Sequence, residues 1–454
     1  MTNSKRDGFG SRFGVLVAVA GSAIGLGNLW RFPYLVGNNG GAAFIVVYIT
    51  VAIVLCLPIM ISEFIIGRRT QSNAIGAIKK LAPKSGWLSI GVISVATAFM
   101  ISCFYSVVGG WTLEYIVKSF SSGFLVNDSG ALTKTFSNFT TSPVRPAVMM
   151  LIYLAINAFI VSAGIKNGIE KYAKILMPAL FVLIIILAIR SLTLPGAQAG
   201  LSFLFNPDFS KLTAGSVLAA LGQAFFSLSV GMGCIITYGS YVDKKENLMN
   251  ISLTTAIADT TFAILAGLAI IPAVFAFGIS PGEGPGLVFI TLPQIFAQMP
   301  FGHVISFAFF VILLVAAITS SISLLEVVVA YFVEELKMSR RVATLITFSV
   351  IGLFGVLCSL SLGELKEMTL FGKNMFDLFD YTTSNIMLPV GGLLIVLFVG
   401  WKIRREDVRD ELFNGGVIPF KRTLFNWIMI GIKFLAPIAI AFILLNGIGL
   451  IKLF

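Results

Sequence analysis

Residues 21–33 read Gly-Ser-Ala-Ile-Gly-Leu-Gly-Asn-Leu-Trp-Arg-Phe-Pro, which sets three glycines, Asn28 and Arg31 inside an otherwise apolar run. A helix of that composition breaks. Backbone released from i→i−4 bonding in hydrocarbon is tolerated only where it is buried in protein or lines a water-filled cavity, so the stretch is a candidate binding site. It exposes carbonyls from about residue 21 to residue 26 and adds the Asn28 carboxamide. A second interruption, Ser229-Val230-Gly231-Met232-Gly233, follows Ser227, and two further runs carry Thr319-Ser320-Ser321 and Asp259. Carbonyl, hydroxyl, carboxamide and carboxylate oxygens are what a hard cation such as sodium requires. Each feature has a plainer reading: hydroxyls in membrane helices back-bond to their own helix, and glycines let helices pack. The aspartate is different, because an ionised carboxylate at the bilayer centre costs about 2.5–3.5 kcal/mol even on the gentlest scale. Convergence of the four features favours a cation site.

The elements that position these groups follow from composition. Of 454 residues, 57% are hydrophobic and 12% charged, with a mean hydropathy of +0.95, which excludes a soluble globular class. Apolar runs of membrane-crossing length occupy 13–37, 41–67, 87–120, 146–164, 169–192, 214–240, 251–278, 303–337, 340–361, 375–401 and 422–450. They are too long and too continuous for the alternating strands of an outer-membrane barrel. The expected fold is an all-α integral membrane protein of eleven transmembrane helices. The polar start leads into a span that is too long and carries Arg31, so a cleavable signal peptide is not expected and the first helix is retained.

Net charge +11 does not point to nucleic acid, because its distribution has another cause. With the N-terminus inside, the large majority of Lys and Arg fall in inner loops, as the positive-inside rule demands. The N-terminus is therefore expected in the cytoplasm and, after eleven spans, the C-terminus outside. Cys56, Cys103, Cys234 and Cys358 lie within spans without metal or disulfide spacing and read as small packing residues. His303 is the single histidine, at an outer helix end. Paired histidines, a nucleophile elbow and a phosphate loop are all missing, so an enzyme is not expected.

The two interrupted spans, first and sixth, stand five helices apart. Glycine-interrupted segments in corresponding positions of two halves point to a transporter's midplane site, and an odd number of helices per half inverts the second against the first. The expected divisions are a cytoplasmic N-terminal segment 1–12, a first repeat 13–192, a second repeat 193–401, and a loop with helix eleven over 402–454. Among the outer loops, 279–302 carries Pro281, Pro285, Pro293 and Pro300 around an apolar run and reads as a structured lid. Gly168 and Pro178 bracket nine residues at the inner end of span five. Local unwinding and a plain proline kink both fit that pair.

The stretch at 21–33 with the Asn-Gly-Gly after it, Gln223-Ala-Phe-Phe-Ser-Leu-Ser-Val-Gly-Met-Gly, and Thr319-Ser-Ser together resemble the neurotransmitter:sodium symporter family, in particular its bacterial amino-acid branch. The resemblance covers essentially the whole chain. It implies sodium-coupled symport of hydrophobic L-amino acids by alternating access across a bacterial cytoplasmic membrane, with a small-molecule substrate and lipid as partners. It further implies two sodium sites. The first would use the Ala23 carbonyl, Asn28, Ser227, Asp259 and the substrate's carboxylate; the second would use the Gly21, Ile24 and Ala316 carbonyls with Thr319 and Ser320. Substrate would lie between them, against Ser22, Ala23, Gly25, Gly27, Ile101, Tyr105, Phe226, Ser229, Met232, Ser320 and Leu324. Gly25 stands where monoamine carriers of the family hold aspartate, which leaves room for a ligand that brings its own carboxylate. The pocket implied by Ile101, Phe226, Met232 and Leu324 holds no charge and disfavours charged side chains.

Asp259 replaces the family's usual asparagine, and Ala263 cannot ligate chloride, so chloride independence is expected. For the outer gate the resemblance implies Arg31, with Gln223 nearby, against a span-ten carboxylate, Asp377 in preference to Asp380. For the inner gate it implies Arg6 with Glu334, and Tyr241 in the same network. A cation channel and a non-transporting amino-acid sensor are the competing readings; saturable, accumulating uptake separates both from a symporter.

Overall fold

The computed structural model describes residues 8–121, 123–279, 285–447 and 450. Among them, nine helices are long and apolar enough to cross a membrane. Ala42–Thr70, Gly86–Lys118, Arg145–Ser162 and Ile165–Leu192 fill the second to fifth apolar runs; Leu248–Phe277, Gly302–Glu334, Arg340–Leu360, Met375–Lys402 and Arg422–Gly447 fill the seventh to eleventh. The first run is a bent pair, Arg12–Ala23 and Gly27–Asn38, turning by 54° at the break. The sixth is split into Ala214–Ser227 and Cys234–Gly239. The count of eleven is thus approximate: nine runs hold continuous helices, and the two others hold broken ones.

Side-chain caps place the starts of the half-helices that feed the breaks. Ser11 accepts from the Gly14 N–H at the start of span one, and Thr213 forms a capping box with Ser216 ahead of span six. Both satisfy backbone donors that a helix start leaves open.

Prolines explain a recurrent irregularity. π-Helical turns at Gly27–Arg31, Ala52–Cys56, Leu287–Thr291, Thr383–Met387 and Gly431–Leu435 each end two residues before a proline, namely Pro33, Pro58, Pro293, Pro389 and Pro437. A proline ring clashes with the carbonyl four residues back and donates nothing. Widening that turn to i→i+5 relieves the clash and lets an apolar span continue through it.

Span eight packs along spans three, five and one, and span seven along spans five and one. The two broken spans are thereby enclosed by continuous helices. The outer segment 279–302 is structured where it is described, as helices Leu287–Thr291 and Leu292–Ala297; Pro281 lies outside the described residues. Phe289 of this segment stacks on Phe136 at 5.4 Å and meets the Tyr115 ring edge at 4.8 Å, which fastens the segment over span three.

Candidate substrate and sodium site

The first break is built by Asn28. After Ala23 the chain turns extended at Ile24 (φ −74°, ψ 109°), and the Gly25 N–H donates to Asn28 Oδ1 at 3.0 Å. The carboxamide thus caps the break it sits in. Its Nδ2 donates to Ser227 Oγ at 3.0 Å and to Asp259 Oδ1 at 2.8 Å. Ser227 Oγ donates to the same carboxylate at 2.8 and 3.0 Å, and Tyr48 Oη to its Oδ2 at 2.9 Å. All four side chains are buried. Spans one, two, six and seven therefore meet in one group of oxygens, with a carboxylate at its centre.

A second group lies where the same break faces span eight. Ser320 Oγ stands 3.3 Å from the Gly21 and Ser22 carbonyl oxygens and 3.0 Å from that of Ile24. One hydroxyl hydrogen serves one acceptor at a time, so these lone pairs outnumber the donors facing them. Thr319 Oγ1 lies 3.1 Å from the Ala316 carbonyl oxygen, and its Cβ is 3.2 Å from where a Cβ on Gly21 would sit. Gly21, Ile24, Ala316, Thr319 and Ser320 thus form one oxygen-rich cluster suited to a cation.

Between the two groups is a cavity of about 30 Å³. Ser22, Ala23, Gly25 and Gly27 line it from span one, Ile101 and Tyr105 from span three, Phe226, Ser229 and Met232 from span six, and Ser320 and Leu324 from span eight. The structure brings together every residue that the resemblance assigned to substrate, and adds Leu26 beside them. Its polar groups are directional. Tyr105 Oη accepts the Leu26 N–H at 3.2 Å, so its own hydrogen stays available to a carboxylate. Ser22 Oγ donates to Ser323 Oγ at 2.8 Å and Ser229 Oγ to the Ser22 carbonyl at 2.7 Å, so these two hydroxyls are left as acceptors. A volume of this size holds about one water, and an amino acid requires the site to widen. Leu26, Tyr105 and Phe226 also line a larger outer cavity of about 920 Å³, and this partition is the wall that faces open space.

The second break has a different chemistry, backbone in the left-handed region. Ser229, Gly231 and Gly233 have φ of 53°, 86° and 78°. A Cβ on Gly231 would also meet the Leu388 carbonyl oxygen at 2.6 Å. The Gly231 N–H donates to Glu63 Oε1 at 2.6 Å, within a buried contact to span two. Gly231→Ala is expected to destabilise the protein by at least about 1–2 kcal/mol, through strained φ and backbone crowding, lowering the melting temperature in detergent. An unchanged melting temperature would sink this account.

The gate residues are placed as follows. Arg31, Asp377 and Asp380 line the outer cavity. Among the described residues no carboxylate is within ion-pair distance of Arg31, and its guanidinium lies 5.7 Å over the Phe226 ring. Asp377 sits at a helix start, where Asn374 Nδ2 donates to its Oδ2 at 2.7 Å, and Asp380 accepts from Ser384 Oγ at 3.0 Å. Gln223 Nε2 donates to the Gly27 carbonyl at 3.2 Å and braces the first break. Arg6 lies outside the described residues. Glu334 accepts from the Asn73 N–H and Nδ2 at 2.8 and 3.0 Å, while Tyr241 Oη donates to Glu326 Oε1 at 2.6 Å. Glu326 is buried and also binds Arg340, whose Nη1 is 3.2 Å from Oε1. Gly168 sits in the π-helical turn Ile165–Glu170 and Pro178 in the helix Lys171–Leu192. A Cβ on Gly168 would meet the Ile160 carbonyl oxygen at 2.0 Å, so this glycine permits close packing on span four.

Tyr48, Glu63, Glu326 and Ser323 escaped the sequence reading. Glu63 and Glu326 had a signal, a lone acid in an apolar run. Tyr48 and Ser323 had none, since their positions resemble ordinary membrane-helix composition.

A polar site at mid-span between two interrupted helices, walled by continuous ones, is that of a secondary transporter. The model of the sodium:neurotransmitter symporter family matches residues 6–142 and 130–452, and the chain belongs to that family. It is a sodium-dependent symporter and not an enzyme. The chain is 42% identical to the sodium-dependent transporter YhdH of Bacillus subtilis (strain 168), over 100% of both chains. It is 28% identical to the sodium- and chloride-dependent GABA transporter 2 of Mus musculus, with 87% of this chain and 73% of that protein covered. Among solved structures it is similar to MhsT in complex with L-phenylalanine, at 44% identity and a TM-score of 0.89, covering 97% of this chain and 100% of MhsT.

Proposed function

We propose that the chain takes up hydrophobic L-amino acids with sodium by alternating access, in a bacterial cytoplasmic membrane with its N-terminus inside and C-terminus outside. The observation that carries this reading is the cavity itself: apolar Ile101, Phe226, Met232 and Leu324 beside the Tyr105 hydroxyl and the side-chain-free backbone of Gly25. MhsT, whose fold the chain shares, is solved with L-phenylalanine, a ligand of that chemistry. A charged side chain buried among these four residues would lack partners and be rejected, whereas methionine adapts to several apolar shapes.

Two sodium ions travel with the substrate in this reading. One uses the Ala23 carbonyl, Asn28, Ser227, Asp259 and the substrate's carboxylate; the other uses the Gly21, Ile24 and Ala316 carbonyls with Thr319 and Ser320. Sharing the carboxylate makes sodium and substrate each favour binding of the other, which is the coupling. Residues 13–192 and 193–401 act as the two inverted halves. Arg31 closes the outer side with a span-ten carboxylate, Asp377 or Asp380, both of which line the outer cavity. At the inner side Glu334, Tyr241 and Arg6 form the latch, and Glu326 supports it through Tyr241. Met177, within the stretch bracketed by Gly168 and Pro178, lies 3.2 Å through its Sδ from the position of a Gly21 Cβ. Unwinding that stretch would uncover the second oxygen cluster toward the inner side.

Uptake by purified protein in liposomes, with and without an inward sodium gradient and against a panel of amino acids, tests the reading. Accumulation of leucine or phenylalanine only with the gradient is the expected result; flux without saturation or accumulation would overturn it. Asp259 supplies a fixed negative charge, and Ala263, one turn on, offers no chloride ligand. Uptake in gluconate is therefore expected to match uptake in chloride, and a strict chloride requirement would refute that part.

A further inference from the structure

At the end of span five nearest the N-terminal segment, a cavity of about 410 Å³ is lined by Lys166, Asn167, Glu170, Lys171 and Lys174, with the Gly10 backbone as one wall. Glu170 is already engaged. It accepts from the Gly10 N–H at 2.5 Å, from Ser11 Oγ at 2.8 Å and from Lys174 Nζ at 2.5 Å. Lys166 and Lys171 are exposed, and among the described residues neither has a carboxylate within ion-pair distance. Among the described residues, the cavity thus presents two ammonium groups without an ion-pair partner.

What lies along the helix from it identifies the occupant. Lys171, Ile175, Val182 and Ile189 are spaced by four and seven residues and share one face of helix Lys171–Leu192. Ile175, Val182 and Ile189 are 60%, 57% and 58% exposed, in a span of hydropathy 2.6. An apolar face of a membrane span that no other described helix covers lies against acyl chains. An amphiphile with its phosphate at the lysines and its tails on this stripe satisfies both halves of the surface, as basic pockets at helix ends do for lipid headgroups.

We infer that this cavity is a headgroup site for an anionic phospholipid, with phosphodiester oxygens on Lys166 and Lys171 and acyl chains along Ile175, Val182 and Ile189. A free phosphate shares the headgroup chemistry but makes no use of the apolar stripe. The site touches the transport cycle at one point. A Cβ on Gly10 would lie 2.9 Å from Lys166 Cε, so a lipid held by Lys166 leans on the N-terminal segment that Glu170 ties to span five. Its presence braces that tie.

The test is native mass spectrometry of the purified full chain in detergent, titrated with dioleoyl phosphatidylglycerol or dioleoyl phosphatidylcholine. Wild type is expected to retain phosphatidylglycerol preferentially. Lys166→Gln with Lys171→Gln is expected to need roughly 30-fold more of it, the factor expected from removing two interfacial basic side chains. Lys79→Gln with Lys80→Gln, basic residues at the same end but outside the cavity, should leave retention unchanged. Equal retention by the Lys166/Lys171 variant and wild type, or an equal loss in the Lys79/Lys80 control, would overturn the site. Displacement of phosphatidylglycerol by millimolar inorganic phosphate would overturn the lipid assignment, and a matching melting temperature of variant and wild type excludes misfolding as the cause.

Discussion

Replacing Asp259 by alanine is expected to abolish sodium-driven uptake at low sodium, with sodium affinity falling by roughly 100-fold or more. The carboxylate receives hydrogen bonds from Asn28, Ser227 and Tyr48. Hydrogen bonds to a charged group contribute about 1.5–3 kcal/mol each, and a buried donor left unsatisfied costs about 1–3 kcal/mol, so alanine disrupts the whole group. Asp259→Asn separates charge from shape. The carboxamide fills the same space but turns an NH₂ toward residues that already donate, and it brings no charge to a cation. Its sodium dependence, read by uptake or by sodium-induced substrate binding, should move to higher concentration by about an order of magnitude. Wild-type sodium dependence in Asp259→Asn would show that this charge has no part in holding the ion.

Gly25→Ala is the second large effect, and it acts through space. A Cβ there would stand 2.6 Å from Ser320 Oγ and 3.1 Å from Tyr105 Oη. Ser320 belongs to the second oxygen group, and Tyr105 carries the hydroxyl available to a carboxylate. One methyl group therefore pushes on both and occupies the room for the substrate's polar end. Substrate affinity is expected to fall by roughly 100-fold, the upper end of what misplacing bound groups by about 1 Å costs. Gly267→Ala in span seven is the comparison, because its Cβ would meet nothing closer than 3.7 Å. If both variants bind substrate like wild type, Gly25 does not set the room at the site; if both fail equally, the loss is one of folding.

Much of the arrangement was legible in the chain because it is local. Long apolar runs must become helices in hydrocarbon, since nothing else satisfies their backbone there. Glycines and polar side chains within such runs mark where the helix fails, and the breaks at Ile24 and at Ser229 to Gly233 fall where those residues stand. The site residues were more a matter of resemblance than of pattern. Asn28, Asp259 and Thr319-Ser320 have chemistry that announces itself, but Ile101 and Leu324 look like any other apolar residue in a span.

By itself the sequence determined that this protein spans a membrane, where its two helices break, and which oxygens are available to a cation, because these depend on residue type and on neighbours within a few positions. Only the tertiary structure decided which of those groups meet. Tyr48 reaches Asp259 across 211 residues, and Glu63 takes the Gly231 N–H that a left-handed turn releases. Tyr241 meets Glu326 of span eight across 85 residues. Such choices depend on how helices rotate and cross at close packing, and no spacing along one chain encodes the rotation of its neighbour.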